Sequence, residues 1–333
     1  MYTCITLIFW FGARAILTQG TLDIEEMSAL VTYATQVLLS LMMLSMIFIQ
    51  TVIAKTGAER ICEVLVEEPD IKNKENALTD VKDGAIDFDN VSFKYDEKAE
   101  AASLSAVDLH IKSGETIGVL GSTGSSKTTL VQLIPRLYDV TEGSVKVGGV
   151  DVRDYDVSAL RSSVAMVLQK NVLFSGTVRD NLLWGKKDAT EEDVKRALEI
   201  SASDEFVERI GGLDAKIEQA GSNLSGGQRQ RLCIARAVIG EPKILILDDS
   251  TSAVDMGTDM HIRKAFKTLM PETTKIIIAQ RIASVMSADR IIVMDGGKIS
   301  AVGTHDELMA SSEIYAGIYN SQTDQGGDFD ART

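Results

Sequence analysis

Cysteine and histidine are scarce in this sequence, which has three of each among its 333 residues. Cys4, Cys62 and Cys233 stand far apart, without the paired spacing that a disulfide framework or a zinc site requires. We therefore expect reduced thiols in a cytoplasmic domain. The histidines are equally dispersed, so the sequence indicates no histidine-based metal site.

Basic residues are also in short supply, since 34 lysines and arginines stand against 48 aspartates and glutamates, for a net charge of −14. Nucleic-acid binding needs clustered basic residues that displace counterions, so we expect no nucleic-acid partner. The acidity is interpreted as a solvated surface that keeps the chain soluble. The overall composition, 45% hydrophobic and 25% charged, excludes the disordered and fibrous classes.

Charge is absent from residues 27–54, most of which are apolar. A bilayer core takes about 20 apolar residues, so this stretch predicts a complete transmembrane helix rather than a buried soluble one. Acidic residues precede it, whereas Lys55 and Arg60 follow it. Basic residues favour the cytoplasmic side, which places the end after Ala54, and the domain that follows, in the cytoplasm of a cell-membrane protein.

A second apolar stretch, residues 1–17, is shorter and is interrupted by Arg14. A signal peptide is the competing interpretation, but no basic segment precedes the apolar run. We expect instead the end of a transmembrane helix whose beginning is missing. Residues 1–66 are thus predicted to be a partial transmembrane domain, made of this helix end, the helix at 27–54 and its cytoplasmic extension.

The rest of the chain divides by composition. Residues 67–84 are charged, contain Pro69 and are predicted to be a linker. In residues 85–319, short β-branched runs alternate with longer helical stretches, a pattern typical of an α/β domain with a parallel sheet. The polar residues 320–333 are predicted to be a flexible tail. The clearest strand candidates are 116–120, 164–168, 244–247, 275–279 and 290–294.

A glycine- and serine-rich loop follows the first of these strands and precedes an apolar helical stretch, the context of a Walker A phosphate-binding loop. Its backbone N–H groups would face phosphates, Lys127 would bridge the β- and γ-phosphates, and the Thr128 hydroxyl would bind Mg²⁺. The loop departs from the motif at Ser126, where glycine is expected. The predicted nucleotide-binding residues are Gly121, Ser122, Thr123, Gly124, Ser125, Ser126, Lys127, Thr128 and Thr129.

Two further motifs follow. The run 244–247 ends in Asp248 and Asp249, which has the form of a Walker B strand that brings Asp248 beside the magnesium. Between the two Walker motifs stands a serine with two glycines at a predicted helix start, which can bind phosphate through its backbone. These residues follow Leu224 and are Ser225, Gly226, Gly227 and Gln228.

Taken in this order, the motifs resemble those of the ABC ATPase family, with Leu224–Gln228 similar to its signature sequence and the likeness covering residues 86–319. The resemblance implies that Tyr95 stacks on adenine, and that Gln169 is the Q-loop glutamine between magnesium, the attacking water and the membrane domain. Ser252 to Asp255 resemble the D-loop that crosses the dimer interface. Residues 171–182 are similar to exporters in particular, and residues 11–50 to the end of the fifth and the whole sixth exporter membrane helix.

The implied fold is an α/β P-loop NTPase, the ABC ATPase, with a parallel-sheet core and a helical subdomain, preceded by about one and a half transmembrane α-helices. The implied ligands are ATP and Mg²⁺, the latter held by Thr128, Gln169 and Asp248. The implied catalytic residues are Asp249, Gln280 and Gln169.

Two of these residues depart from the family pattern. Asp249 replaces a glutamate that polarises the attacking water, and its carboxylate is one methylene shorter. Gln280 replaces a histidine that contacts the γ-phosphate, and an amide cannot carry charge. Together with Ser126, they predict a site that binds ATP and hydrolyses it slowly.

The signature, in contrast, is intact. In this family two ATP-binding domains pair head to tail, and each signature completes the partner's site. The sequence therefore resembles the degenerate-site half of a heterodimeric exporter, with a second exporter half, membrane lipid and an unidentified transported substrate (drug, lipid or peptide) as partners. A non-hydrolysing regulatory subunit and a truncated, non-functional fragment are the alternatives. A soluble ABC protein acting on DNA or ribosomes is disfavoured by residues 27–54 and by the net charge.

Overall fold

A computed structural model of the chain describes residues 2–96, 98–250 and 253–324. Its internal contacts divide it into two compact units that meet between Asp70 and Ile71 in the sequence. The first contains the apolar helices, and the second contains the motifs named above.

The first unit consists of two helices. Helix α1 spans Tyr2–Arg14 and continues into a π-helical turn, Ala15–Gln19. Helix α2 spans Ile24–Leu65 and starts with a capping box between Asp23 and Glu26. Its 42 residues would extend over about 63 Å, twice the roughly 30 Å of a hydrocarbon core. By length and composition it is the one helix of the described residues that could cross a membrane.

The second unit is a mixed α/β structure of twelve strands and nine α-helices within the described residues. Its strands are β1 (Ile86–Phe93), β2 (Leu104–Ile111), β3 (Thr116–Gly121), β4 (Glu142–Val147), β5 (Val150–Asp151), β6 (Val164–Val167), β7 (Gly176–Thr177), β8 (Lys216–Ile217), β9 (Ile244–Asp248), β10 (Thr274–Ile278), β11 (Arg290–Asp295) and β12 (Lys298–Gly303). Its helices are α3 (Lys127–Gln132), α4 (Val157–Ser163), α5 (Val178–Leu183), α6 (Glu191–Ile200), α7 (Asp204–Arg209), α8 (Gly226–Val238), α9 (Met256–Leu269), α10 (His305–Ser311) and α11 (Glu313–Asp324).

A six-stranded sheet in the order β12-β11-β3-β10-β9-β6 forms the centre of this unit. All neighbouring strands are parallel except the edge pair β11 and β12. The predicted parallel-sheet core is confirmed, with strand ends within one or two residues of those expected. The register aligns Ile278 with Val119 and with Asp248. The loops that follow β3, β9 and β10 therefore leave the sheet at one edge, where ligands of open α/β sheets bind.

Two further layers pack on this sheet. An antiparallel sheet, β2-β1-β4-β5, shares an apolar core with it through residues such as Phe88, Ile117 and Leu133. Helices α5 to α8 share a second core with the same sheet, through the alternate residues of its strands, and this core includes Leu182, Leu232 and Leu247. These helices correspond to the predicted helical subdomain.

The segment predicted as a linker differs from that expectation after Asp70. Leu78 pairs with the residues around Tyr155, since its N–H donates to Asp154 O at 2.9 Å and its carbonyl accepts from Asp156 N at 2.8 Å. Val81 is buried at 4% exposure. Residues 71–84 therefore belong to the second unit. Their polar composition conceals this, because the segment is held by backbone hydrogen bonds, by polar side chains such as Asn73, which accepts from Val157 N at 2.9 Å, and by the buried Val81.

The first part of the predicted flexible tail is helical instead, because α11 continues through residues 320–324. Its end is fixed by side-chain hydrogen bonds of Gln322 to the loop after β10, which composition does not reveal. The rest of the predicted tail, residues 325–333, lies outside the described residues.

A substitution at Gly118 tests how closely β3 packs against Val285. A Cβ at this position of β3 would lie 2.6 Å from Val285 Cβ, and Val285 is itself fully buried. We expect Gly118→Ala to destabilise the second unit by about 1–3 kcal/mol, as overpacking does. The measurement is the melting temperature of the purified chain.

Gly317→Ala is the matched control, because a Cβ there meets nothing within 4 Å and the residue lies in α11. Alanine should stabilise this helix by about 0.5–1 kcal/mol. Equal melting temperatures for the two variants would contradict the close approach of β3 and Val285.

Candidate functional site

The predicted phosphate loop connects β3 to α3 and curls around the end of Lys127. The Lys127 ammonium donates to Gly121 O at 2.9 Å, to Ser122 O at 2.8 Å and to Ser125 Oγ at 3.3 Å. Partial burial lowers the pKa of Lys127, and the nearby carboxylates of Asp248 and Asp249 oppose this effect. The ammonium thus lies inside the loop with neutral oxygens as its direct partners, which suits a site for an anion.

Ser126 precedes α3 in a left-handed conformation, with φ 68° and ψ 25°. The left-handed region costs a residue with a Cβ roughly 1–2 kcal/mol, and glycine adopts it freely. The one position at which the loop departs from the Walker A pattern is therefore also strained.

Strand β9 brings Asp248 to the loop. All five residues of β9 are buried, and Thr128 Oγ1 donates to Asp248 Oδ2 at 2.8 Å. Burial raises the pKa of Asp248, while the Thr128 hydrogen bond and the Lys127 charge oppose the rise. A carboxylate in this environment is stabilised by a cation, so the pair suits a metal ion.

The three predicted catalytic residues converge on one oxygen atom. Gln280 Nε2 lies 3.0 Å from Asp249 Oδ2, and Gln169 Nε2 lies 3.4 Å from the same atom. The strands that precede them, β10, β9 and β6, are neighbours in the sheet. Asp249 itself has a left-handed backbone, with φ 48°.

Opposing effects act on the Asp249 carboxylate. Burial raises its pKa, and the hydrogen bond from Gln169 lowers it. The negative charge of Asp248 raises the pKa further, whereas Arg281 and the Gln280 hydrogen bond lower it. The net direction is upward. Sequence reasoning missed Arg281, although it stands directly after Gln280 and could have been recognised as a charge at the same edge.

Tyr95 lies next to the phosphate loop and is half exposed. Its hydroxyl is 3.0 Å from Thr129 Oγ1 and 3.2 Å from Gln132 Oε1. Its ring meets those of Phe93 and Tyr138 edge-on, at centroid distances of 4.8 Å and 5.1 Å. This cluster is an aromatic surface beside the loop, as base stacking requires. Tyr138 and Gln132 were not predicted, because no local pattern relates them to Tyr95.

The predicted signature begins helix α8, with Ser225 as its N-cap. Gln228 N donates to Ser225 Oγ at 3.3 Å, and Ser225 N donates to Gln228 Oε1 at 2.9 Å. Gly227 lies under the backbone of Ala253, because a Cβ there would be 2.9 Å from Ala253 O. A cavity of about 340 Å³ opens at this place, lined by Ser225, Gly226, Gly227, Gln228, Arg231, Ala253, Val254 and Asp255. Ser252 of the predicted D-loop lies outside the described residues.

The donor set at Thr128 and Asp248 fits Mg²⁺. Within residues 2–96, 98–250 and 253–324, no group of three or more His, Cys, Asp or Glu side chains could hold a metal ion alone. Mg²⁺ binds through one or two protein ligands together with phosphate oxygens and water, which is what a hydroxyl and one carboxylate beside an anion loop supply. The amide Nε2 of Gln169, the third predicted ligand, donates to Asp249 Oδ2 at 3.4 Å.

Comparison with known proteins yields a family match and several relatives. Residues 104–252 match the family model described as ABC transporter. The chain is 38% identical over 318 residues to the uncharacterised ABC transporter ATP-binding protein YknV of Bacillus subtilis, covering 95% of this chain and 52% of that protein. It is 40% identical over 262 residues to a putative multidrug export ATP-binding/permease protein of Staphylococcus aureus, covering 78% of this chain and 45% of the relative.

A solved structure, that of a bacterial Atm1-family ABC exporter with ATP bound, matches with a TM-score of 0.80 and 28% sequence identity. The match covers 96% of this chain and 56% of that one. The chain thus spans about half the length of the curated relatives it matches.

Ser126→Gly should relieve the strain in the phosphate loop. Because glycine adopts the left-handed region without a steric penalty, we expect the variant to be more stable by about 1 kcal/mol. The check is the melting temperature without nucleotide. Ser122→Gly is the control, since Ser122 lies in the same loop outside the positive-φ region and its replacement should bring no gain. A gain of the same size for both variants would contradict the strain at residue 126.

Asp248→Asn should stabilise the nucleotide-free protein in a pH-dependent way. Burial raises the pKa of Asp248 above its ordinary 3.8, so the folded state binds this proton more tightly than the unfolded state. The stabilisation of the folded state by this proton is fully present below pH 3.8 and is lost as the pH rises through the folded-state pKa. The advantage of asparagine should therefore grow as the pH rises above 3.8 and level off above the folded-state pKa, while the thermal shift caused by ATP with Mg²⁺ is lost.

Asp295→Asn provides the control for this experiment, because Asp295 is exposed at the end of β11, another strand of the same sheet that does not pair with β9. It should change neither the pH dependence nor the nucleotide shift. A pH-independent melting difference for Asp248→Asn would show that burial of its charge is not the cause.

Proposed function

We propose that this chain, an exporter-type subunit of the ABC transporter family, is the ATP-driven motor of one half of a membrane exporter. Lys127, Thr128 and Asp248 meet at the carboxyl edge of the sheet, at the end of the loop that the family uses for nucleotide. This single arrangement carries the proposal, because anion-binding and cation-binding groups lie side by side there.

Each residue has a separate role in this proposal. The loop N–H groups and Lys127 bind the phosphates, and Lys127 exchanges its bonds to Gly121 O and Ser122 O for phosphate oxygens. Thr128 and Asp248 hold Mg²⁺, which neutralises phosphate charge when it is bound. Tyr95 supplies the surface against which the adenine stacks.

The residues around Asp249 support slow hydrolysis at this site. A base must reach the attacking water, but the side chain of Asp249 is one methylene shorter than that of a glutamate. In addition, its Oδ2 already accepts hydrogen bonds from the amides of Gln169 and Gln280. A displacement of about 1 Å can cost roughly 10²-fold in rate. The Gln280 amide can donate to a γ-phosphate but stays neutral.

The signature supports pairing with a second exporter half. Ser225 stands at the N-terminus of α8, where backbone N–H groups and the helix dipole favour an anion. In a head-to-tail dimer this end would complete the partner's ATP site. A heterodimer in which the partner hydrolyses faster accounts for an intact signature beside weakened Walker residues.

Membrane attachment is proposed through α2, whose uncharged residues 27–54 would cross the cell membrane with the ATP-binding unit in the cytoplasm. Closure of the two ATP-binding domains would move the attached helices and drive export of the substrate.

The slow-site proposal predicts that the double variant Asp249→Glu, Gln280→His gains activity. A glutamate restores the reach of the base, and a histidine restores a chargeable contact to phosphate. We expect a rise in kcat on the order of 10- to 100-fold. The measurement is phosphate release by the detergent-solubilised chain, alone and with its exporter partner.

Asp249→Asn, Gln280→His is the matched control, since it changes the same two positions without supplying a base. It should show no gain. Fast turnover by the unmodified chain alone would contradict the slow site. An unchanged export rate in Asp249→Ala, with altered retention of bound ATP, would favour the alternative of a non-hydrolysing regulatory subunit.

A further inference from the structure

The side chain of Gln322 joins the last helix to the loop that carries Gln280. Its Oε1 accepts from Ile282 N at 2.9 Å, and its Nε2 donates to Gln280 O at 2.8 Å. One amide thus satisfies two backbone groups that lie 40 and 42 residues earlier in the sequence. We propose that Gln322 is a positioning residue of the ATP site, which fixes Gln280 against Asp249 and makes the site respond to helix α11.

The geometry explains how a remote amide can orient Gln280. The two bonds hold the carbonyl of residue 280 and the N–H of residue 282, so they constrain the backbone dihedrals of Arg281, the one residue between them. The Gln280 side chain leaves this constrained segment toward Asp249 Oδ2, at 3.0 Å. A change in either backbone bond rotates the segment and removes that contact.

The loop is fixed from its other side by the core. Ile282 and Val285 are fully buried, and the turn Ile282–Ser284 follows directly after Gln280 and Arg281. On the other side, Ala279 is buried and its N–H donates to Val119 O at 3.3 Å, but Gln280 and Arg281 between these anchors are exposed. Gln322 therefore supplies a further hold on the backbone of these two exposed residues.

Helix α11, which carries Gln322, is itself anchored in the core. Tyr315, one of its residues, is fully buried, and its hydroxyl lies 2.7 Å from His305 Nδ1 of α10. Burial raises the pKa of Tyr315 to about 12, so the hydroxyl keeps its proton. Gln322 is thus presented from a helix that the core holds in place, whereas the amide itself is only partly buried.

The proposed consequence concerns the γ-phosphate alone, and in this respect it rests on the proposed function. If Gln280 contacts the γ-phosphate, a loop released from Gln322 loses its hold on ATP but not on ADP. An exclusively structural role for Gln322 would affect both nucleotides equally. The comparison of ATP with ADP therefore separates positioning from general destabilisation.

The test uses the full-length chain in detergent and measures the dissociation rates of fluorescent mant-ATP and mant-ADP in the presence of Mg²⁺. For Gln322→Ala we expect ATP to dissociate about tenfold faster, with ADP unchanged within twofold. Gln322→Glu keeps the size and the acceptor for Ile282 N but cannot donate to Gln280 O, so it should behave like Gln322→Ala. Asn320→Ala is the control, since it removes an exposed amide from the same helix and should change neither rate.

A double-mutant cycle completes the test. In a Gln280→Ala background, Gln322→Ala should cause no further change in ATP dissociation, because the amide acts through Gln280. The inference is overturned if Gln322→Ala accelerates both nucleotides equally, if Gln322→Glu matches the unmodified chain, or if the two substitutions are additive. Failure of the proposed function would be recognised separately, as an unmodified chain that binds no mant-ATP.

Discussion

The ATP site depends above all on the complete burial of strand β9. Its five residues lie inside the unit, and it is hydrogen-bonded to β10 on one side and to β6 on the other. Such a strand cannot slide by one residue without moving every side chain to the opposite face. The two aspartates at its end are therefore held in a fixed position at the carboxyl edge of the sheet, next to the phosphate loop, Gln169 and Gln280.

Much of this arrangement can be predicted from sequence because it is local. An apolar run that ends in two acids predicts a buried strand with carboxylates at its edge, and a Gly/Ser loop between strand and helix predicts the phosphate site. The convergence of Gln169, Asp249 and Gln280 also follows once the strands are known to be parallel neighbours. What could not be predicted is long-range and polar. Gln322 reaches back by hydrogen bonds to the backbone, and Leu78 pairs with Asp154 and Asp156 through main-chain groups that are the same in every residue.

Two residues of the site are kept in conformations that their side chains disfavour. Ser126 and Asp249 both have left-handed backbones, at φ 68° and φ 48°. Each costs roughly 1–2 kcal/mol, and such strain persists when the surroundings determine the backbone. The surroundings are clear for Asp249, whose N–H donates to Ile278 O at 2.9 Å. Burial of the charged Asp248 carboxylate raises the free energy of the nucleotide-free protein further. A bound cation would compensate this charge and so stabilise the site.

The capping box at Ser225 has a consequence for how a subunit pair could separate. The Ser225 hydroxyl accepts a hydrogen bond from Gln228 N, and the Gln228 side chain accepts one from Ser225 N. A phosphate arriving there would take over the same groups, so that one cap is exchanged for another. The helix end is hydrogen-bonded both before and after the exchange. In the proposed pair, departure of the nucleotide would restore the bonds between Ser225 and Gln228, so the start of α8 would keep these two hydrogen bonds through cycles of docking and release.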